Sequence, residues 1–239
     1  MSKTYLKRLA APKTWPVKRK GPKFITKALP GPHSLQVSVP LNVLLKEILK
    51  YANSTREIRK ILDINEIKID GKARKDYRFP VGIFDTIEIV NINECFRVVF
   101  NTKGKIDLIK INKEMSLVKP YKIIGKTMVK GKLQLNLFDG KNIFVDKNGY
   151  KVGDTVVISL PEQKINKHLK LDKKSTIFLI GGKHIGEIGN VEDVIKNKIV
   201  YKDKKGDLIE TSKKYAFVIG DSKYQLHLDK DETNEKHKN

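Results

Sequence analysis

Residues 41–78 read LNVLLKEILKYANSTREIRKILDINEIKIDGKARKDYR, and this stretch decides the architecture of the first half of the chain. Leu41, Leu44, Leu45, Ile48 and Leu49 recur at helical spacing and share one face. Ser54 or Thr55 then supplies a cap for a second helix whose apolar positions are Ile58, Ile61 and Leu62. Arg56, Arg59 and Lys60, three and four residues apart, fall on the opposite face of that helix. Ile67-Lys68-Ile69 alternates like a short strand, and Asp70-Gly71 is a strong hairpin turn signal. Lys72, Arg74, Lys75 and Arg78 follow in a polar loop, and Ile87-Glu88-Ile89 gives another alternating strand. A helix pair feeding a basic hairpin predicts a small α+β unit over residues 41–95 with an L-shaped cationic edge.

Toward the N-terminus the pattern dissolves. Residues 1–40 hold nine Lys or Arg and no acid, the first carboxylate being Glu47. Pro12, Pro16, Pro22, Pro30, Pro32 and Pro40 break any long helix. Apolar residues are scattered without a period, which predicts an extended basic arm that orders on a partner. Trp15 sits among the cations. It suits stacking on bases, or it anchors the arm to the protein's own surface.

Toward the C-terminus the pattern becomes β. Phe96–Phe100 and Ile106–Ile111 flank a Lys103-Gly104 turn, and Leu133–Phe138 and Asn142–Val145 flank Asp139-Gly140. Val152-Gly153-Asp154 leads into an apolar strand. Short strands at even spacing with glycine turns predict a central β domain over 96–172. Thr176–Ile180 then enters GGKHIGEIGNV at 181–191, with further strands near 195–201, 208–211 and 215–219, predicting a small barrel over 173–220. Residues 221–239 read as a polar tail.

The formal net charge is +22, from 49 Lys+Arg against 27 Asp+Glu, which points to a polyanionic partner rather than to a small neutral substrate. The apolar fraction of 39% supports folded cores of modest size. Cys95 is the one cysteine, so the chain holds no disulfide framework, and a small buried hydrophobe is its expected role. No stretch reaches the apolar length of a membrane span, and the first residues lack the apolar core of a secretory signal. A cytoplasmic protein is expected.

Three segments resemble known modules. The helix–helix–hairpin at 41–90 resembles the S-four RNA-binding domain, and 174–200, with Gly182, Gly186, Gly189 and Val191, resembles a KOW motif on an SH3-like barrel. The strings YLKRLAAPKTW at 5–15, GPH at 31–33, IKIDGKARKD at 67–76, VVFNTKGK at 98–105 and IGGKHIGEIG at 180–189 stand in the order of the small-subunit ribosomal protein family S-four-e. The likeness covers about residues 3–220. The short tail is similar to archaeal rather than eukaryotic members. The resemblance implies a multidomain α+β and all-β chain that binds small-subunit ribosomal RNA and catalyses nothing.

The residues expected to meet RNA are the cations that a phosphate can reach. In the arm these are Lys3, Lys7, Arg8, Lys13, Lys18, Arg19 and Lys20, with Trp15; in the helical unit they are Lys50, Arg56, Arg59, Lys60, Lys68, Lys72, Arg74 and Arg78. Arginine forks onto phosphate and stacks on bases, whereas lysine acts as a point charge. In the glycine loop, Lys183 and His184 flank Gly182, Gly186 and Gly189. Those glycines either let backbone N–H groups approach a phosphate or only shape a tight turn.

Other chemistries are poorly supported. Ile124-Gly125-Lys126-Thr127 ends like a phosphate-binding loop, but position 120 is proline where the motif needs glycine. His33, His168, His184, His227 and His237 show no metal-ligand spacing to one another or to Cys95. No cofactor, metal or small-molecule substrate is expected. The expected partners are small-subunit RNA and neighbouring ribosomal proteins, with one copy of the chain in each ribosome. A non-ribosomal RNA-binding regulator or an RNA-modifying factor is the alternative; the latter needs a catalytic aspartate motif that the short β segments do not carry.

Overall fold

A computed structural model describes residues 5–64, 66–146, 149–221 and 224–225. The chain is mostly β with few helices. Its described residues divide into two compact units, one ending at Phe100 and resuming over Gly104–Leu117, the other holding Asn101–Lys103 and the described residues from Val118 to Gln225.

In the first unit, Leu41–Val43 begins a helix that widens into a π turn over Leu44–Ile48. The opening N–H groups of Leu41 and Asn42 donate to the carbonyls of Phe79 and Tyr77 at 2.9 and 2.8 Å. This satisfies donors that a helix start otherwise leaves open, and it seats the 77–79 segment on the helix. Lys50 takes a left-handed φ of 57° where the helix ends. Thr55–Ile64 is the second helix, and Ser54 caps it. The Ser54 hydroxyl accepts from Glu57 N–H at 3.2 Å, while the Glu57 carboxylate accepts from the Ser54 hydroxyl and Asn53 N–H. That reciprocal box holds the Glu57 carboxyl below its ordinary pKa, chiefly through the Ser54 hydroxyl. Ile58 and Leu62 are buried, as the spacing predicts.

A five-stranded antiparallel sheet runs in the spatial order Lys72–Ala73, Ile67–Ile69, Thr86–Ile89, Glu94–Phe100, Ile106–Ile111. Asp70 and Gly71 both have positive φ, the geometry of a tight hairpin turn. The expected boundary between residues 95 and 96 cuts through the strand Glu94–Phe100. That strand pairs with Thr86–Ile89 after a single turn at Val90–Ile92, so residues 96–111 complete the first unit's sheet instead of opening a new domain. No glycine or proline marks the turn, and composition alone places the boundary in the wrong register.

The described part of the arm differs from its expectation. Tyr5–Lys7 pairs with Phe24–Thr26, and Ala11, Trp15, Val17 and Ile25 are buried. Loops bury side chains without a period, so this packing left no repeat to read. His33 of the GPH string lies against Gly82, where any Cβ would collide with its ring, and bonds Asp85 at 2.9 Å through Nε2.

The second unit holds two antiparallel sheets. One runs in the order Asn142–Val145, Lys132–Leu137, Val118–Val129, Thr155–Ser159, Ile165–Leu169. The long strand Val118–Val129 pairs with Thr155–Ser159 in its first half and with Lys132–Leu137 in its second, bending at a bulge between Ile123 and Gly125. The Gly125-Lys126-Thr127 string therefore lies in a strand. The other sheet runs Leu208–Ser212, Lys198–Asp203, Ile188–Ile195, Thr176–Leu179, Ala216–Asp221, Tyr224–Gln225.

The expected division at 172/173 is bridged by a common core. Val156 and Ile158 pack with Tyr121, Ile123, Leu133, Leu135 and Leu137, whereas Val157, Leu169 and Leu171 pack with Ile177, Leu179, Val191, Ile199 and Val218. Alternation along one strand feeds both clusters. Of the expected tail 221–239, only Asp221 and the pair Tyr224–Gln225 are described.

Candidate nucleic-acid interface

The cations of the first unit form an open, braced edge. Arg56, Arg59 and Lys60 are exposed on the helix face opposite Ile58 and Leu62. The Arg59 guanidinium lies 4.6 Å from the Tyr77 ring centroid, and its Nη2 donates to the Tyr77 hydroxyl at 2.9 Å. Arg78 approaches the same ring at 5.6 Å, and Arg74 covers Phe79 at 4.4 Å. Such stacking contributes roughly 0.5–1 kcal/mol at exposed sites and fixes the planar fork before any ligand arrives. Arg78 also meets Asp76 at 3.5 Å, and Lys68 meets Glu66 at 3.4 Å. Lys50 and Lys72 are exposed, the latter beside the Asp70-Gly71 turn.

The arm's candidates separate into two groups. Lys7, Lys13, Lys18, Arg19 and Lys20 are exposed, with Arg19 donating to Leu9 O at 2.8 Å. Arg8 is buried: its Nε and Nη1 donate to the carbonyls of Pro22 and Lys18 at 3.0 Å each, and it pairs with Glu47 at 3.7 Å. Trp15 is 2% exposed, and its indole N–H donates to Ser38 O at 2.8 Å. Arg8 and Trp15 are thus the arm's anchors, and the base-stacking reading of Trp15 is corrected. Lys3 lies outside the described residues.

In the glycine loop the polar groups turn to their own chain. His184 Nδ1 bonds Glu187 Oε1 at 3.0 Å, and the Tyr201 hydroxyl donates to Glu187 Oε2 at 3.1 Å. Burial, more than the nearby Glu187 charge, raises the Tyr201 pKa. Gly182 and Gly186 have φ of 87° and 86°, which favours glycine. Gly189 is needed for packing, because a Cβ there would strike the Tyr201 ring and lie 2.7 Å from Lys202 O. Lys183 is exposed at the tip.

Lys122 shows the inward extreme in the second unit. Its ammonium donates to the carbonyls of Lys213, Lys214 and Ala216 at 3.0, 2.9 and 2.6 Å. Burial, aided by the nearby Lys213 charge, pushes its pKa down to about 8.

Sequence reasoning missed the aromatic bracing of the arginines. Its signal was present in ARKDYRF at 73–79, where cations and rings interleave. Among the described residues no group of three or more His, Cys, Asp or Glu is placed to hold a metal ion, and no helix is long and apolar enough to cross a membrane.

The description "Ribosomal family S4e" matches residues 92–165, and "RS4NT (NUC023) domain" matches residues 2–36. The chain is 43% identical over 227 residues to the small ribosomal subunit protein eS4 of Methanocella arvoryzae, covering 92% of this chain and 95% of that one. It belongs to the S4e family of ribosomal proteins. The S4e relative from Methanocaldococcus jannaschii, also named small ribosomal subunit protein eS4, is 39% identical over 241 residues, covering 95% of this chain and 98% of that one. The crystal structure of the 30S ribosomal protein S4e from Thermoplasma acidophilum superposes with a TM-score of 0.69 at 31% identity, covering 79% of this chain and 97% of that one. S4e proteins are structural components of the small ribosomal subunit rather than enzymes.

Proposed function

We propose that the chain binds small-subunit ribosomal RNA through the braced edge of its first unit, as one copy per ribosome in the cytoplasm. The observation that carries this reading is the row of arginines held over aromatic rings, the exposed Arg59 on Tyr77 and the half-buried Arg74 on Phe79. Structured RNA is met mainly through its shape, its 2′-hydroxyls and its phosphates, which favours a rigid cation array over any single residue. The helix pair and hairpin at 41–95 then serve as an S-four-like module. The glycine loop at 181–189 serves as a KOW-type turn whose exposed tip is Lys183. Exposed arm cations Lys7, Lys13, Lys18, Arg19 and Lys20 extend the same surface chemistry, while Arg8 and Trp15 hold the arm in place.

The test is sedimentation of a cell lysate through sucrose gradients at low and at raised salt. Co-migration with small subunits at about one to one, resistant to moderate salt, is expected of an integral component. Release that steepens as salt rises, by orders of magnitude for about six or more phosphate contacts, would favour a peripheral regulator.

A further inference from the structure

A cleft of about 520 Å³ opens in the first unit between the Tyr5–Lys7 and Phe24–Thr26 hairpin and the helix Thr55–Ile64. Its size falls within the roughly 300–1,000 Å³ of small-ligand sites. Three aromatic rings line it, Tyr5, Phe24 and Tyr77. Tyr5 is 62% and Phe24 50% exposed, with ring centroids 5.6 Å apart, so two large apolar faces meet solvent side by side. The fold gains little from leaving them there.

The polar lining is of a second kind. Asn42, Thr26 and Thr55 contribute neutral groups. Asn42 is 4% exposed; its Nδ2 donates to the Thr26 and Thr55 hydroxyls, while its Oδ1 has no hydrogen-bond partner. A buried acceptor without a donor is uncommon and calls for an explanation. The charged groups on the wall are Lys46 and Arg59, together with Glu47 and Arg8, which pair with each other at 3.7 Å. With Arg8 and Glu47 offsetting each other, Lys46 and Arg59 leave the lining net positive around its neutral polar groups.

We propose that this cleft receives one unpaired nucleobase of the RNA, an adenine or a cytosine. The inference rests on the RNA-binding reading above and adds a subsite to it. The flat base lies against the Tyr5 and Phe24 rings, a contact open to any base because each has a π face. Adenine and cytosine carry an amino donor beside a ring-nitrogen acceptor on the pairing edge, which matches Asn42 Oδ1 and Nδ2 once the amide turns toward the base, whereas guanine places an N–H beside its amino group on that edge. Lys46 and Arg59 meet the phosphates on either side of the extruded nucleotide. Aromatic faces, a neutral hydrogen-bonding floor and flanking cations match how single unstacked bases in RNA are recognised. A free anion would seek the charge rather than the rings.

The experiment is a dimethyl sulfate footprint of the full chain on an in vitro transcript of the small-subunit RNA of Methanocella arvoryzae. Dimethyl sulfate marks the pairing-edge nitrogens of unpaired adenine and cytosine. Wild-type protein should protect at least one such base. The Tyr5→Ala/Phe24→Ala variant should restore that base's reactivity by about fivefold or more, in line with lost stacking, and leave the other protections intact. Phe24→Leu, which keeps apolar bulk beside Ile25, serves if the double variant fails to fold. Identical footprints from wild type and folded variants overturn the subsite and leave RNA binding standing. No protection of any adenine or cytosine by wild type also overturns the subsite, whereas failure of the wild-type chain to retain the same transcript in filter binding removes the RNA-binding reading as well.

Discussion

The segment 55–79 in the first unit and the elements around 181–216 in the second use the same kinds of side chain in opposite ways. In the first, the exposed Arg59 lies over Tyr77 and the half-buried Arg74 over Phe79. In the second, His184 is engaged by Glu187, and the Lys122 ammonium is spent on three carbonyls. A cation near a loop is thus no sign of a ligand surface by itself. In the first region the guanidinium groups are held over rings, whereas in the second acceptors hold His184 and Lys122, although Lys214 there also lies 5.0 Å from the Tyr215 ring.

That contrast is open to direct attack. Reversing Arg56, Arg59 and Lys60 to Glu should give the largest effect, a loss of RNA affinity of about 10³-fold or more near 0.1 M salt, read by filter binding. The melting temperature should hardly change, since all three are exposed. Retained affinity in a folded triple variant would remove the edge from the account. Gly189→Ala should do the reverse. A Cβ colliding with Tyr201 should destabilise the second unit by about 1–3 kcal/mol in urea unfolding, with RNA affinity of the folded fraction unchanged. A lowered affinity at full stability would return that glycine to the interface.

Lys122 predicts a pH signature. Its pKa is pushed down to about 8 from an ordinary value of 10.5, so between those values the unfolded chain binds more protons than the folded one. Stability should therefore rise with pH across that window, by at most about 1.4 kcal/mol per pH unit. Lys122→Met should lose this slope, and a variant with wild-type slope would show the group to be unperturbed. The smallest effect is expected of Tyr77→Leu. Removing the ring under Arg59 should weaken RNA binding by about three- to tenfold, in keeping with a stacking contribution near 1 kcal/mol. No change would make the ring irrelevant to how Arg59 is presented.

The sequence was most legible where local rules act alone. The Ser54 cap, the apolar positions Ile58 and Leu62 and the Asp70-Gly71 turn all follow from spacing and from backbone chemistry. The arm was not, because Trp15 meets Ser38 O and Thr14 O meets Ile106 N through contacts far apart in the chain. The pairing of Arg59 with Tyr77 likewise joins a helix to a loop, and only the residue types were visible beforehand. The 95/96 and 172/173 boundaries misled because strand pairing and shared cores ignore composition. The cleft lined by Tyr5, Phe24, Asn42, Arg59 and Tyr77 draws on five separate segments and left no local trace.

The strand Thr155–Ser159 sends Val156 and Ile158 into one cluster and Val157 into the other. During synthesis the partners of the first cluster have already left the ribosome when this strand emerges, because Tyr121, Ile123, Leu133, Leu135 and Leu137 all precede it. Val157 must wait until Val218 has been made. For that interval the newborn chain carries an uncovered apolar flank, and a translation pause before residue 218 prolongs its exposure. The finished second unit, sharing one wall between two cores, should melt in a single step.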